Sequence, residues 1–67
     1  MKEITIKDSP GFQLRVKKWE CLKPNGLYAI QFIQCTKDKD GNIDGQSTYE
    51  FFMDNKEMAQ LAGALVE

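Results

Sequence analysis

Between Lys2 and Lys7 apolar and polar residues alternate one for one. Ile4 and Ile6 fall on one side of an extended chain, and Glu3, Thr5 and Lys7 on the other. Such alternation marks a half-buried strand, because successive side chains of an extended backbone point to opposite faces. Asp8-Ser9-Pro10-Gly11 then predicts a turn, since proline presets one backbone angle and glycine tolerates the unusual ones. Alternation resumes over Phe12–Glu20. Phe12, Leu14 and Val16 share one face, and Gln13, Arg15, Lys17 and Trp19 share the other.

Pro24-Asn25-Gly26 is a hairpin signal. The following stretch, Leu27–Thr36, is rich in β-branched and aromatic residues and predicts a third strand. Tyr28, Ile30 and Phe32 face one way there, and Ala29, Gln31, Ile33 and Cys35 the other. Closing the hairpin with Lys23 opposite Leu27 would set Cys21 near Ala29 and Cys35 near Arg15. That separation exceeds the roughly 5.5–6 Å between Cα atoms that a disulfide prefers. A two-residue Asn25-Gly26 turn would shift this register by one.

Lys37–Gln46 is polar, contains two glycines and predicts a loop; Ser47–Met53 predicts a fourth strand with Tyr49, Phe51 and Met53 on the core side. Asp54 and Glu57 stand three apart, the spacing of a reciprocal capping box at a helix start. Met58, Leu61, Ala62 and Leu65 then form one apolar stripe at helical spacing. Gly63 interrupts the helix interior, where glycine costs about 1 kcal/mol relative to alanine. A small residue there suits close helix approach across a dimer, or marks fraying.

The expected fold is α+β, in ββββα order: a four-stranded curved antiparallel sheet followed by one C-terminal helix, all within a single domain spanning residues 1–67. The helix stripe must cover one sheet face. The face carrying Arg15, Lys17 and Trp19 is therefore expected to stay open.

The chain has 67 residues, too few to bury a large core, and domains of this size gain from disulfides, metals or oligomers. It contains no histidine and two cysteines, Cys21 and Cys35, a poor basis for a zinc site or a disulfide scaffold. Reduced thiols, no bound metal or cofactor and a homodimer are the expectation. No apolar run approaches the ~20 residues of a membrane span, and the N-terminal segment lacks a signal-peptide core. A cytoplasmic protein without a membrane partner is expected.

Charge is unevenly spread. Residues 1–23 hold six basic and three acidic residues, a net of +3, whereas residues 24–67 hold three basic and seven acidic residues, a net of −4. Binding responds to the local field rather than the total, so this polarity suits a basic face with an acidic back. Single-stranded nucleic acid needs cations for phosphates and flat apolar surfaces for unstacked bases, and Arg15, Lys17 and Trp19 supply both along one strand. The same stripe also fits a Trp19 set in the core or a dimer seam, with cations that only keep the sheet in solution.

Thr36–Ser47 can be aligned with a calcium-binding loop, but Thr36 and Ser47 hold the first and twelfth positions where acids belong, and strands flank it instead of helices. A turn is the expectation. Without histidine the usual base for serine or cysteine nucleophiles is missing, and no glycine-rich phosphate loop is present, so the chain is expected not to be an enzyme.

Three stretches carry a wider pattern: Tyr28-Ala29-Ile30-Gln31-Phe32, then Asp38-Lys39-Asp40-Gly41-Asn42-Ile43, then Phe51-Phe52-Met53-Asp54-Asn55-Lys56-Glu57-Met58 with Leu61 beyond. This succession of strand, D-x-x-G turn, short strand and capped helix resembles the single-stranded-DNA-binding domain of the transcriptional coactivator positive cofactor four, over about 50 residues. The resemblance implies a dimer formed through the C-terminal helix and adjoining sheet edges. It also implies single-stranded DNA lying across the sheet with little sequence preference; the sequence leaves RNA open as an alternative partner. By position it points to Lys7, Arg15, Lys17 and Trp19, with Lys18 and Lys23 near the rim.

Ile33 and Thr36 stand where family members tend to have a basic and an aromatic residue, and Gly45-Gln46-Ser47-Thr48 lacks the usual cations. These departures shift the expected surface towards the second strand and Lys37 and Lys39. The lone domain is similar to bacterial or phage versions serving replication, recombination or transcription. A rival expectation is a small protein-interaction module, such as a phage inhibitor that turns the same face towards a host protein.

Overall fold

A computed structural model describes residues 1–20 and 26–66. Four strands, β1 (Lys2–Ser9), β2 (Phe12–Glu20), β3 (Tyr28–Lys37) and β4 (Ile43–Met53), form one open antiparallel sheet in the order β1-β2-β3-β4, followed by helix α1 (Asn55–Val66). The expected ββββα architecture is the observed one.

Local chemistry accounts for the connections. Pro10 and Gly11 alone separate β1 from β2, and Gly11 has φ +84°, a conformation that other residues rarely adopt. Between β3 and β4 the Asp38 carboxylate accepts hydrogen bonds from the amides of Asp40 and Asn42, both at 2.9 Å, while Gly41 takes φ +85°. This aspartate-closed turn is shorter than the predicted Lys37–Gln46 loop. The strand resumes at Ile43 because Ile43–Gln46 pairs with β3 despite its polar composition. Asp44 is the extra residue of a bulge there, and its carboxylate accepts from the Thr36 hydroxyl at 2.8 Å. The capping box forms as expected: the Glu57 amide donates to Asp54 Oδ1 at 2.8 Å, and the Asp54 amide donates to Glu57 Oε1 at 2.9 Å.

The β2–β3 register differs from the expected one. Trp19, not Cys21, lies opposite Ala29, and Ile33, not Cys35, lies opposite Arg15. Cys35 pairs with Gln13. The displacement is two residues, and because strand side chains alternate with period two it leaves every face assignment unchanged. Cys35 is free and buried, whereas Cys21, Lys23 and the Pro24-Asn25 part of the hairpin signal lie outside the described residues.

Among the described residues the buried apolar ones, Ala29, Ile30, Ile33 and Cys35, all belong to β3, which has a hydrogen-bonded neighbour on each side. The helix leaves β4 after a single residue and contacts no other strand extensively. Its stripe of Met58, Leu61, Ala62 and Leu65 therefore faces the side of the sheet carrying Ile4, Ile6, Val16, Ile30 and Phe32 without closing onto it. A groove of about 320 Å³ remains between them. Leu65 is 74% exposed, and α1 has no buried residue, so burial of the stripe is incomplete within one chain. No described helix is long and apolar enough to cross a membrane.

Candidate nucleic-acid interface

The sheet face opposite the helix is built from rungs of residues paired across the strands. Trp19, Ala29 and Phe52 make one rung. The next holds Glu3, Lys17, Gln31 and Glu50, and the third Thr5, Arg15, Ile33 and Thr48. A fourth holds Asp8, Gln13, Cys35 and Gln46. Neighbours within a rung stand about 4.8 Å apart and successive rungs about 6.8 Å apart, so side chains of adjacent rungs are within reach of one bound group.

Arg15, Lys17 and Trp19 are each half-buried on this face. Ile33 and Cys35 are buried here although no helix covers them, so the longer neighbours Arg15, Gln13 and Gln46 shield them. That explains one departure from the resembled pattern: Ile33 is a core residue beneath the cations. Thr36, the other, lies on the helix side and is committed to Asp44.

The electrostatics are more balanced than the chain's charge polarity suggests. Arg15 Nη1 donates to Glu3 Oε2 at 2.9 Å, and Arg15 Nε is buried without a protein partner. Lys37 bridges to Asp8 at the turn end of the sheet. This bond and charge hold the Asp8 carboxyl below its ordinary pKa. Glu50 accepts from Gln31 Nε2 at 2.8 Å. Three carboxylates, Glu3, Asp8 and Glu50, thus accompany three cations, Arg15, Lys17 and Lys37, and Lys17 alone of these cations makes no ion pair among the described residues.

Among the described residues, the other candidate cations Lys7, Lys18 and Lys39 do not join these rungs. Ile6 is an extra residue between the Thr5–Arg15 and Lys7–Leu14 pairs of β1 and β2. The bulge carries Lys7 to the helix side, where its ammonium lies 5.8 Å from the centre of the Phe12 ring. Lys7, a candidate through the resemblance, therefore does not share a face with Arg15. Lys18 also lies on the helix side, 4.8 Å from the Tyr28 ring centre and opposite Lys2. Lys39 is exposed in the Asp38–Asn42 turn, beside the Pro10-Gly11 turn, and Lys23 lies outside the described residues.

Sequence reasoning missed Phe52. The alternation that sends Tyr49, Phe51 and Met53 to the helix side sends Phe52 to the other, so the signal was present in β4 itself. Only the register places it on the rung of Trp19. Among the described residues no cluster of potential metal ligands occurs. Comparison with family models, curated proteins and solved structures returns no significant match.

Proposed function

We propose that this protein binds single-stranded DNA, without catalysis, through the helix-free face of its sheet, and that it acts as a homodimer in replication, recombination or transcription. The observation that carries this reading is the arrangement of Trp19, Lys17 and Arg15 on successive rungs of an uncovered sheet, with Phe52 across Ala29 from Trp19. Base stacking on an aromatic side chain contributes about 1–3 kcal/mol, and adjacent cations meet the phosphates. The pattern shared with single-stranded-DNA-binding domains supports the same reading. The apolar groove between α1 and the sheet supports the dimer, since a second copy covering Ile4, Ile6, Leu61 and Leu65 would supply burial that a single chain lacks.

Titration of labelled oligo-dT at several salt concentrations tests the proposal, with Trp19→Ala and Arg15→Ala/Lys17→Ala beside wild type. Two cations per subunit in a dimer predict a slope of log K against log salt of about −3, at roughly −0.7 per neutralised phosphate. Absence of binding at low salt would refute the function, and equal binding by all three proteins would refute the site.

The near match of carboxylates and cations on the face favours a second reading, a protein partner that meets both signs of charge around Trp19. Under that reading oligo-dT does not bind.

A further inference from the structure

We propose that the Trp19–Phe52 end of this face selects guanine from single-stranded DNA. The inference rests on the nucleic-acid reading of the same face and adds a base preference to it. It starts from an anomaly: Glu50 is exposed on a surface where phosphates would be repelled by a carboxylate.

Glu50 is two residues before Phe52 on β4, so the two side chains share a face about 6.8 Å apart along the strand. Phe52 is 55% exposed. Across it on the same rung stands Trp19, with Ala29 between them at 3% exposure. In the ladder Ala29 stands between the two aromatic residues, so the pair brackets a small residue at the centre of the rung. A base that stacks on this pair brings one edge over the adjacent rung.

That rung presents Lys17, Gln31 and Glu50. Gln31 Nε2 donates to Glu50 Oε2 at 2.8 Å and so orients the carboxylate, whose oxygens retain further lone pairs for a ligand. A carboxylate is matched by two adjacent donors. The Watson–Crick edge of guanine offers N1–H and the N2 amino group side by side, next to the O6 acceptor that an ammonium such as that of Lys17 complements. Adenine and cytosine offer an amino donor beside a ring acceptor, and thymine offers one imino donor between two carbonyls. Unstacked bases are commonly read in this way, by stacking together with hydrogen bonds to the Watson–Crick edge. Of the four bases guanine alone fits the carboxylate with two donors.

The test compares a labelled 15-mer of dT with the same oligomer carrying one central dG, dA, dC or deoxyinosine, measured by fluorescence anisotropy at low salt. A single dG is expected to tighten binding at least fivefold over dT, given the range of discrimination seen for bidentate base contacts. Deoxyinosine, which keeps N1–H but lacks the amino group, is expected to lose most of that gain. In Glu50→Gln the ratio of dG to dT affinity is expected to fall towards one, with circular dichroism confirming the fold. Equal binding of the dG and dT oligomers by wild-type protein would overturn guanine selection and leave the general proposal standing. A dG preference kept by deoxyinosine or by Glu50→Gln would overturn the assigned contact. Failure of every oligomer to bind would overturn the nucleic-acid reading and this inference with it.

Discussion

Gly45 faces Thr36 across the β3–β4 ladder so closely that a Cβ on Gly45 would stand 2.7 Å from Thr36 Oγ1. The hydroxyl is held there by its hydrogen bond to Asp44, the bulged residue next to Gly45. Glycine at this position is therefore tied to the bulge that starts β4.

Gly45→Ala should destabilise the protein by about 1–2 kcal/mol, as small-to-large changes at tight contacts do. Thr36→Ala removes the atom that clashes. The double variant should then recover about 1 kcal/mol relative to the sum of the single changes. Urea unfolding at one fixed protein concentration measures the cycle, and strict additivity would show that the contact relaxes freely.

Asp54→Ala removes one half of the reciprocal cap formed with Glu57. The expected loss is about 1 kcal/mol, with Asp54→Asn or Asp54→Ser retaining most of the stability. Equal losses in all three variants would show that α1 does not depend on the side-chain cap.

The Asp8–Lys37 bridge predicts a pH dependence with a defined sign. A carboxyl whose pKa is lowered in the folded state stabilises the protein above its unfolded pKa, and that contribution disappears as pH falls through the folded value. Wild type should therefore be more stable than Asp8→Asn at pH 7, and the two should converge below about pH 4. Thermal unfolding across this range measures the gap, and a gap that widens with acid would contradict the assignment.

Leu65→Asp addresses the groove. Leu65 is 74% exposed, so the change should alter the stability of a monomer by less than about 0.5 kcal/mol, the usual range for surface substitutions. In a dimer that covers α1 it should bring the sedimentation mass from two chains towards one. A wild-type mass of one chain at micromolar concentration would rule out the dimer.

Trp19→Phe separates stacking from general destabilisation. It retains a flat ring opposite Ala29 in the ladder and should weaken oligo-dT binding far less than Trp19→Ala, whose expected loss is roughly 5- to 150-fold for one stacked base. Equal losses would indicate that Trp19 supports the sheet instead of contacting the strand.

Much of this architecture is legible in the chain because its signals are local. Phe12–Glu20 alternates with period two, so Arg15, Lys17 and Trp19 share a face in any antiparallel pairing. Pro10-Gly11 and the Asp54–Glu57 pair act over two to four residues, and both form where the sequence predicts them. The start of β4 was not legible, since Ile43-Asp44-Gly45-Gln46 has the composition of a loop. Its pairing depends on what β3 offers across the ladder, notably the Thr36 hydroxyl for Asp44.

The sequence by itself determined the order of elements, the helix cap and the two faces of β2, because backbone angles and side-chain alternation follow from neighbours along the chain. Only the tertiary structure decided the placement of Lys7, which the Ile6 bulge moves to the helix side, and the rung that joins Trp19, Ala29 and Phe52. Bulges and register arise from pairing between distant segments. A single inserted residue reverses the facing of the strand residues beyond it, here Lys7, Asp8 and Ser9, while the hydrophobic pattern hardly changes.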